Sequence, residues 1–246
     1  MTQPQPVESI FSRAWMLLNR NWIIIVPGLL IGLVVGIVHG LLTPVFSSDQ
    51  YGASVVLVSA SSAILRAAIS LIGYIATLAY TTGMAGAAWE RGFATFADGA
   101  MSFREDAGRI VITSIGLVIL GAIAAILALP TFFLSLLAFY LFTLYAMPAA
   151  IVGNRPGFSS IAESFRIAGH RFTSTLVVAI LLAVIYVIAW IIAGFFSFAP
   201  FLGPIVAACI IEAVVAYATL VVVGEYLNLR AAGRIPPASP AAAPPV

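Results

Sequence analysis

The residues whose side chains could do chemistry are few and widely spaced in this sequence. It contains two histidines, His39 and His170, one cysteine, Cys209, and no lysine among its 11 basic residues. No HExxH, GxSxG, GxGxxG or CxxC pattern occurs, and the two histidines are too far apart to begin a zinc or haem site. The absence of lysine excludes P-loop and Schiff-base chemistry. The sequence therefore predicts no catalytic residue, no metal site and no cofactor, and indicates that the protein is not an enzyme.

One acidic residue, Glu212, lies inside a long apolar run. Acidic residues within the membrane are costly, so they pair, become neutral or face water. Ala208 and Ala216 flank Glu212 one helical turn away, which predicts that this face looks into the protein. His39 and Arg66 are predicted to lie in the same half of the membrane, so we expect one of them to pair with Glu212. This candidate polar cluster is either a structural clamp or a proton or substrate site.

The composition indicates what kind of protein carries these residues. Of 246 residues, 62% are hydrophobic and 8% are charged, whereas roughly 25% of an ordinary soluble domain is charged. A soluble fold of this length cannot bury so much apolar surface and keep a wettable exterior. The net charge of +2 gives no indication of nucleic-acid binding. The chain is thus predicted to be a polytopic membrane protein in contact with the lipid bilayer, with no nucleic-acid partner.

Six apolar runs are long enough to cross a membrane, which takes about 20 residues. Pro130 separates the third run from the fourth, because a single helix through both would be far longer than the bilayer is thick. The runs are predicted to form one integral membrane domain over residues 1–230, and the Pro/Ala-rich tail 231–246 is expected to be disordered and cytoplasmic. The predicted spans are 22–46, 67–89, 110–129, 131–152, 172–199 and 201–223.

Three segments between the spans share the 3.6-residue periodicity of an amphipathic helix, which predicts surface helices at 7–20, 96–109 and 158–171. The three segments also share their register, since an aromatic residue stands seven positions before the next span in each of them. We therefore predict an all-α fold built from three copies of one unit, a surface helix followed by a hairpin of two spans. The predicted interfacial anchors are Trp15, Trp22, Arg109 and Arg171.

The distribution of arginines predicts the orientation. Each unit crosses the membrane twice, so the three surface helices and both termini are expected on one side. All the arginines except Arg66 lie on that side, and the positive-inside rule makes it cytoplasmic. The chain is predicted to be a multi-pass protein of the bacterial inner membrane with cytoplasmic N- and C-termini.

Small residues recur every fourth position in the first two spans. Glycine in a water-exposed helix costs roughly 1 kcal/mol relative to alanine, whereas in lipid small residues let helices approach closely. We expect the two rows to pack against each other within one chain, and the alternative is a homodimer that meets along the glycine row. The glycine row is Gly28, Gly32, Gly36 and Gly40, and the alanine-glycine row of the second span is Ala79, Gly83 and Ala87.

Three stretches, FSRAWMLLNRNWIIIVP, SFRIAGHRFTSTLVVAIL and VVVGEYLNLR, resemble a known type of membrane domain. It is the six-helix domain of bacterial glycerophosphoryl diester phosphodiesterase membrane-domain proteins and related uncharacterised families. The resemblance covers most of residues 7–230 and includes Tyr226, Leu229 and Arg230. It implies the fold, but no phosphodiesterase activity, because the soluble barrel that some relatives carry does not occur in this sequence.

Two functions are compatible with these features. The first is a non-enzymatic membrane module that organises a partner membrane protein or lipid at the cytoplasmic face. The alternative is a small transporter or lipid-handling protein with a cavity between the hairpins. A polar cavity that reaches the middle of the membrane would favour the alternative, and a tightly packed bundle would favour the first function. An intramembrane enzyme would need titratable residues that converge within hydrogen-bond reach.

Overall fold

A computed structural model describes residues 5–42, 52–196 and 202–232, without the side chains of 40, 52–61 and 204. All regular structure in these residues is helical, which confirms the all-α fold. Residues 233–246 of the predicted tail and the ends of three predicted spans, 43–46, 197–199 and 201, lie outside the described residues. The tail was predicted to begin at 231, but Ala231 is the last residue of α10 and Ala232 is buried. The helices are α1 (Val7–Arg20), a 3-10 helix (Trp22–Ile25), α2 (Val26–Leu41), α3 (Gly52–Arg91), α4 (Phe96–Glu105), α5 (Ala107–Ile126), α6 (Leu134–Thr143), α7 (Ala146–Ile151), α8 (Phe158–His170), α9 (Phe172–Phe196) and α10 (Leu202–Ala231).

The order of the helices reproduces the predicted repeat. The amphipathic helices α1, α4 and α8 each precede a hairpin, formed by α2 and α3, by α5 and α6–α7, and by α9 and α10. Among the described residues, six helical segments are long and apolar enough to cross a membrane. The fold is therefore a polytopic bundle of three hairpins. Several boundaries differ from the prediction. The helix α3 has 40 residues and extends well beyond 67–89, α10 continues to Ala231, past the predicted end at 223, and α4 ends at Glu105 because α5 begins at Ala107.

The fourth span is interrupted between α6 and α7. Pro148 has no N–H to donate, so it interrupts the helical hydrogen bonds in the turn that precedes it. Ser164 of α8 bonds to the backbone at this interruption, since its hydroxyl donates to the Phe142 carbonyl at 2.6 Å and accepts from the Tyr145 N–H at 3.0 Å. A surface helix thus satisfies two backbone groups at the break between α6 and α7.

The hydrophobic core is concentrated at the end of the bundle that carries α1, α4 and α8, which we call the surface-helix end. The apolar face of α1 is buried there, with Ile10 and Ala14 almost fully enclosed in a cluster with residues of α3 and α10. Toward the opposite end the described helices expose large apolar residues such as Leu33, Ile72 and Ile191. The surface helices therefore stabilise the bundle by packing on the protein itself.

Candidate functional site

The structure brings two members of the predicted polar cluster together. His39, near the end of α2, has its Nε2 3.1 Å from the Arg66 carbonyl oxygen and 3.3 Å from the Ser70 hydroxyl. The guanidinium of Arg66 donates to the carbonyl oxygen of Ser62 at 3.3 Å. This polar contact joins the two helices of the first hairpin.

Glu212 lies apart from that contact. Its carboxylate rests on Gly28, where a Cβ atom would come within 1.9 Å of Glu212 Oε2. Gly28 precedes His39 on α2 by eleven residues, which corresponds to about 16 Å along the helix axis. In the described residues no ion pair or hydrogen bond links Glu212 to His39 or Arg66. The structure therefore shows no direct pairing of Glu212 with His39 or Arg66, because two residues in the same half of the membrane can still differ in depth by more than a side chain spans.

The glycine row does not pack as expected within the chain. Gly28 accommodates Glu212, but a Cβ at Gly32 or Gly36 would meet nothing within 4 Å. The contact between α2 and α3 instead uses Gly73 of α3, where a Cβ would lie 2.6 Å from Val35 Cγ2. Intrachain packing of the row is thus wrong for Gly32 and Gly36, whereas the homodimer stays a prediction. The fourth member of the row, Gly40, lies outside the residues whose side-chain environment the structure describes.

The alanine-glycine row of the second span packs against other partners. Ala79 is buried with residues of α5 and α7, and Ala87 is half-buried. A Cβ at Gly83 would lie 2.6 Å from Ser102 Cβ of α4. The row does not meet the glycines of α2, because this part of α3 runs past α2 into the surface-helix end.

The residue just before the first span of a unit binds the end of that unit's own hairpin. Asn21 donates to the Gly92 carbonyl at 3.3 Å and accepts from the Ala94 N–H at 2.8 Å, just after α3. In the second unit, Arg109 donates to the Asn154 side-chain oxygen at 2.6 Å, just after α7. Asn21 and Arg109 occupy equivalent positions in their units, and each bonds to the residues that follow the second span of its own hairpin.

In the third unit the contact is made three residues later, by Ser174 of α9. Its hydroxyl donates at 2.9 Å to the carboxylate of Glu225 near the end of α10, and Arg171 forms no ion pair with Glu225 within the described residues. Glu225 is almost fully buried. Arg109, predicted as an interfacial anchor, therefore also fastens its hairpin, whereas the Nη2 of Arg171, the other predicted anchor, is buried without a hydrogen-bond partner in the described residues. Trp15 and Trp22 are 56% and 67% exposed, and their contact with the membrane interface stays a prediction.

A buried ionic latch joins the second and third units, and sequence reasoning missed it. Glu163 of α8 is 5% exposed, forms an ion pair with Arg155 and accepts a 2.7 Å hydrogen bond from the Tyr226 hydroxyl. Arg230, one turn further along α10, donates to the Val152 carbonyl at 3.2 Å. The stretch VVVGEYLNLR, one of the three that carry the family resemblance, contains both Tyr226 and Arg230 and could have indicated this contact.

An open groove of about 400 Å³ lies at the surface-helix end between the first and second units. It is bounded by the end of α3, by α4 and by the residues that follow α7. Its base includes Gly83, Gly86 and Ala87. We call it the acidic groove because four carboxylates line it, those of Glu90, Asp98, Glu105 and Asp106.

Two of these carboxylates are neutralised by partners. Asp98 pairs with Arg91 at 2.6 Å, and Asp106 pairs with Arg109. Glu90 and Glu105 are exposed and form no ion pair within the part of the chain that the structure describes. The groove therefore carries an unbalanced negative charge.

The two paired carboxylates differ in their electrostatics. Burial raises the pKa of Asp98, but hydrogen bonds from Arg91 and Thr95, with the charge of Arg91, outweigh it and hold the pKa below its ordinary value. Burial raises the pKa of Asp106, helped by the nearby Glu105 carboxylate and opposed by Arg109. Asp98 also accepts hydrogen bonds from the Thr95 N–H and hydroxyl at 2.7 and 2.9 Å, which fixes the start of α4.

No protein-family model, curated protein or solved structure matches the chain. The resemblance to the phosphodiesterase membrane-domain families therefore stays a prediction. Within the described ranges no group of three or more His, Cys, Asp or Glu side chains could hold a metal ion. Cys209 is a free, exposed thiol.

Proposed function

We propose that this integral membrane protein is a non-enzymatic module whose acidic groove docks a basic segment of a partner protein at the cytoplasmic face of the bacterial inner membrane. The observation that carries the proposal is the open groove with two exposed, unpaired carboxylates, Glu90 and Glu105. Arginine or lysine side chains are the complementary groups for such a surface, and complementary charge both steers and selects a partner.

The groove is held in shape before anything binds. The pairs Arg91–Asp98 and Arg109–Asp106 tie its walls to α3 and α5. Its volume of about 400 Å³ falls within the range of preformed ligand sites, which is roughly 300–1,000 Å³. Exposed Met101 adds an adaptable apolar contact at the rim. A preorganised site spends little ordering free energy on binding, which supports a docking role.

The negative charge of the acidic groove favours a basic protein segment over an anionic lipid. Phosphate head groups would be repelled by Glu90 and Glu105, whereas a Lys/Arg-rich peptide would be attracted. The predicted orientation places this end in the cytoplasm, where such segments of other membrane proteins are abundant because of the positive-inside rule.

A charge-reversal experiment tests the proposal. Purified protein in dodecyl maltoside is titrated into a fluorescent octa-arginine peptide, with octa-glutamate as the matched probe, and anisotropy reports binding. We expect Glu90→Arg with Glu105→Arg to weaken octa-arginine binding at least 10-fold. Glu8→Arg, an exposed reversal on α1 outside the groove, is the control and should change binding far less.

Photo-cross-linking in native membranes provides a second test. A photoreactive amino acid at Met101 should cross-link a partner in native membranes, and the same double reversal should abolish that product. The proposal is refuted if the double reversal binds octa-arginine as tightly as the Glu8→Arg control does.

A further inference from the structure

Each of the three surface helices lays an aromatic ring against an aromatic ring of a spanning helix. The partners belong to α10 for α1, to α3 for α4 and to α6 for α8. The ring pairs, with the distances between their centroids, are Trp15–Tyr217 at 5.9 Å, Phe96–Tyr80 at 5.2 Å and Phe165–Phe142 at 5.2 Å. The surface helices therefore lie beside the spans rather than above their ends.

The helix α8 contacts the second hairpin well inside the ends of that hairpin. Phe142 comes nine positions before Ile151, the last residue of α7. On the other helix, a Cβ atom at Gly116, nine positions after Ala107, would lie 2.9 Å from Phe158 Cε1. Nine helical residues correspond to about 14 Å along the helix axis. One edge of α8 is therefore level with the apolar part of the hairpin.

The exposed face of α8 has an aromatic edge and a basic edge. Phe158 and Phe165 are seven positions apart, so both lie on the edge next to the spans, and they are 60% and 41% exposed. Arg166 follows Phe165 by about 100° around the helix axis. It is exposed and forms no ion pair within the residues that the structure describes. An apolar aromatic edge beside a basic edge is typical of a helix in the membrane interface.

The charge of its exposed face distinguishes α8 from the other two surface helices. The exposed faces of α1 and α4 carry the carboxylates of Glu8 and Glu105 in addition to arginine. The acidic residue of α8, Glu163, is 5% exposed and forms an ion pair with Arg155. No carboxylate on the exposed face of α8 offsets the charge of Arg166. This face is therefore complementary to an anionic group.

We propose that the exposed face of α8 binds an anionic phospholipid, with the acyl chains against Phe158 and Phe165 and the phosphate on the guanidinium of Arg166. Arginine presents donors in a planar fork that matches the geometry of a phosphate. A phospholipid occupies both edges of the face, whereas a free phosphate ion would leave the aromatic edge uncovered. The acidic groove contains no residue of α8, so either proposal can fail without the other.

Lipid-selective quenching at α8 tests this proposal. In a Cys209→Ser background, Ala162→Cys on the exposed face of α8 is labelled with a fluorophore, and the protein is reconstituted into phosphatidylcholine vesicles. Spin-labelled phosphatidylglycerol or, in parallel, spin-labelled phosphatidylcholine is added as the quencher, and its titration gives a relative association constant. We expect a preference of roughly 5-fold for phosphatidylglycerol, the factor that one arginine contributes near an anionic membrane surface.

Variants of the arginine assign the preference to its charge. Arg166→Gln should reduce the preference to near one, and Arg166→Lys, which keeps the charge, should retain most of it. Arg20→Gln removes an exposed arginine of α1 and is the matched control, so the preference at α8 should stay unchanged.

Two outcomes with the Arg166 protein would overturn the proposal, whether or not the variants fold. They are equal quenching by the two lipids and no quenching by either of them. A folded Arg166→Gln protein that keeps the preference would overturn it as well.

Discussion

Gly224 should be indispensable to the stability of the bundle, because it receives the indole of Trp89. A Cβ atom at Gly224 would lie 2.2 Å from Trp89 Cζ2 and 2.6 Å from Cε2. The indole cannot easily withdraw. Its Nε1 donates to the Leu220 carbonyl at 2.8 Å, and the Arg13 guanidinium lies over the ring at 4.6 Å from its centroid.

These contacts set the expected magnitude for Gly224→Ala. Overpacking a core costs about 1–3 kcal/mol, and loss of the indole hydrogen bond costs about 0.5–1.5 kcal/mol. Alanine regains roughly 1 kcal/mol of helix propensity. The net loss is therefore about 0.5–3.5 kcal/mol, which corresponds to a decrease of roughly 1–14 °C in unfolding temperature for a chain of this size.

Thermal unfolding in detergent measures this loss. Gly169→Ala in α8 is the matched control, since a Cβ there meets nothing within 4 Å, and it should unfold at the wild-type temperature or slightly above. The substitution Trp89→Leu tests the cause. If the clash with the indole is responsible, Gly224→Ala should cost much less in the Trp89→Leu background. A Gly224→Ala protein as stable as Gly169→Ala would refute the reasoning.

Three further outcomes are expected. Tyr226→Phe removes a 2.7 Å hydrogen bond to a buried carboxylate, so thermal unfolding should show a loss of about 1.5–3 kcal/mol. The pKa of Asp98 in the folded protein is below its ordinary 3.8, so ionised Asp98 stabilises the fold above pH 3.8, and this stabilisation is lost as the pH falls through the folded pKa. In scans from pH 6 to 3, the unfolding temperature should therefore fall less steeply with decreasing pH for Asp98→Asn than for the wild-type protein. In a Cys209→Ser background, Met101→Cys should be protected from an impermeant thiol reagent in intact cells and Phe132→Cys should be labelled; the opposite result would reverse the predicted orientation.

The type and order of the surface helices and of the six membrane-crossing segments could be predicted from the sequence, and the reason is physical. The break of the fourth segment into α6 and α7 was not predicted. Backbone groups in lipid must be satisfied within their own segment, so each apolar run is a helix whatever its neighbours are. The periodicity of the three connecting segments is likewise a local property, and α1, α4 and α8 form where it predicts them. The helix boundaries could not all be predicted in this way, since α10 continues to Ala231, past the end predicted at 223.

Which side chains meet was decided by the tertiary structure. Helical periodicity gives a face but neither the depth of a residue nor the rotation of the neighbouring helix. Glu212 therefore meets Gly28 rather than His39, and Gly32 and Gly36 meet no described neighbour. The burial of Glu163 depends on α8 and α10 coming together, residues far apart in the chain. Local chemistry determines where this chain forms helices, and only packing between helices determines which of its few polar groups become partners.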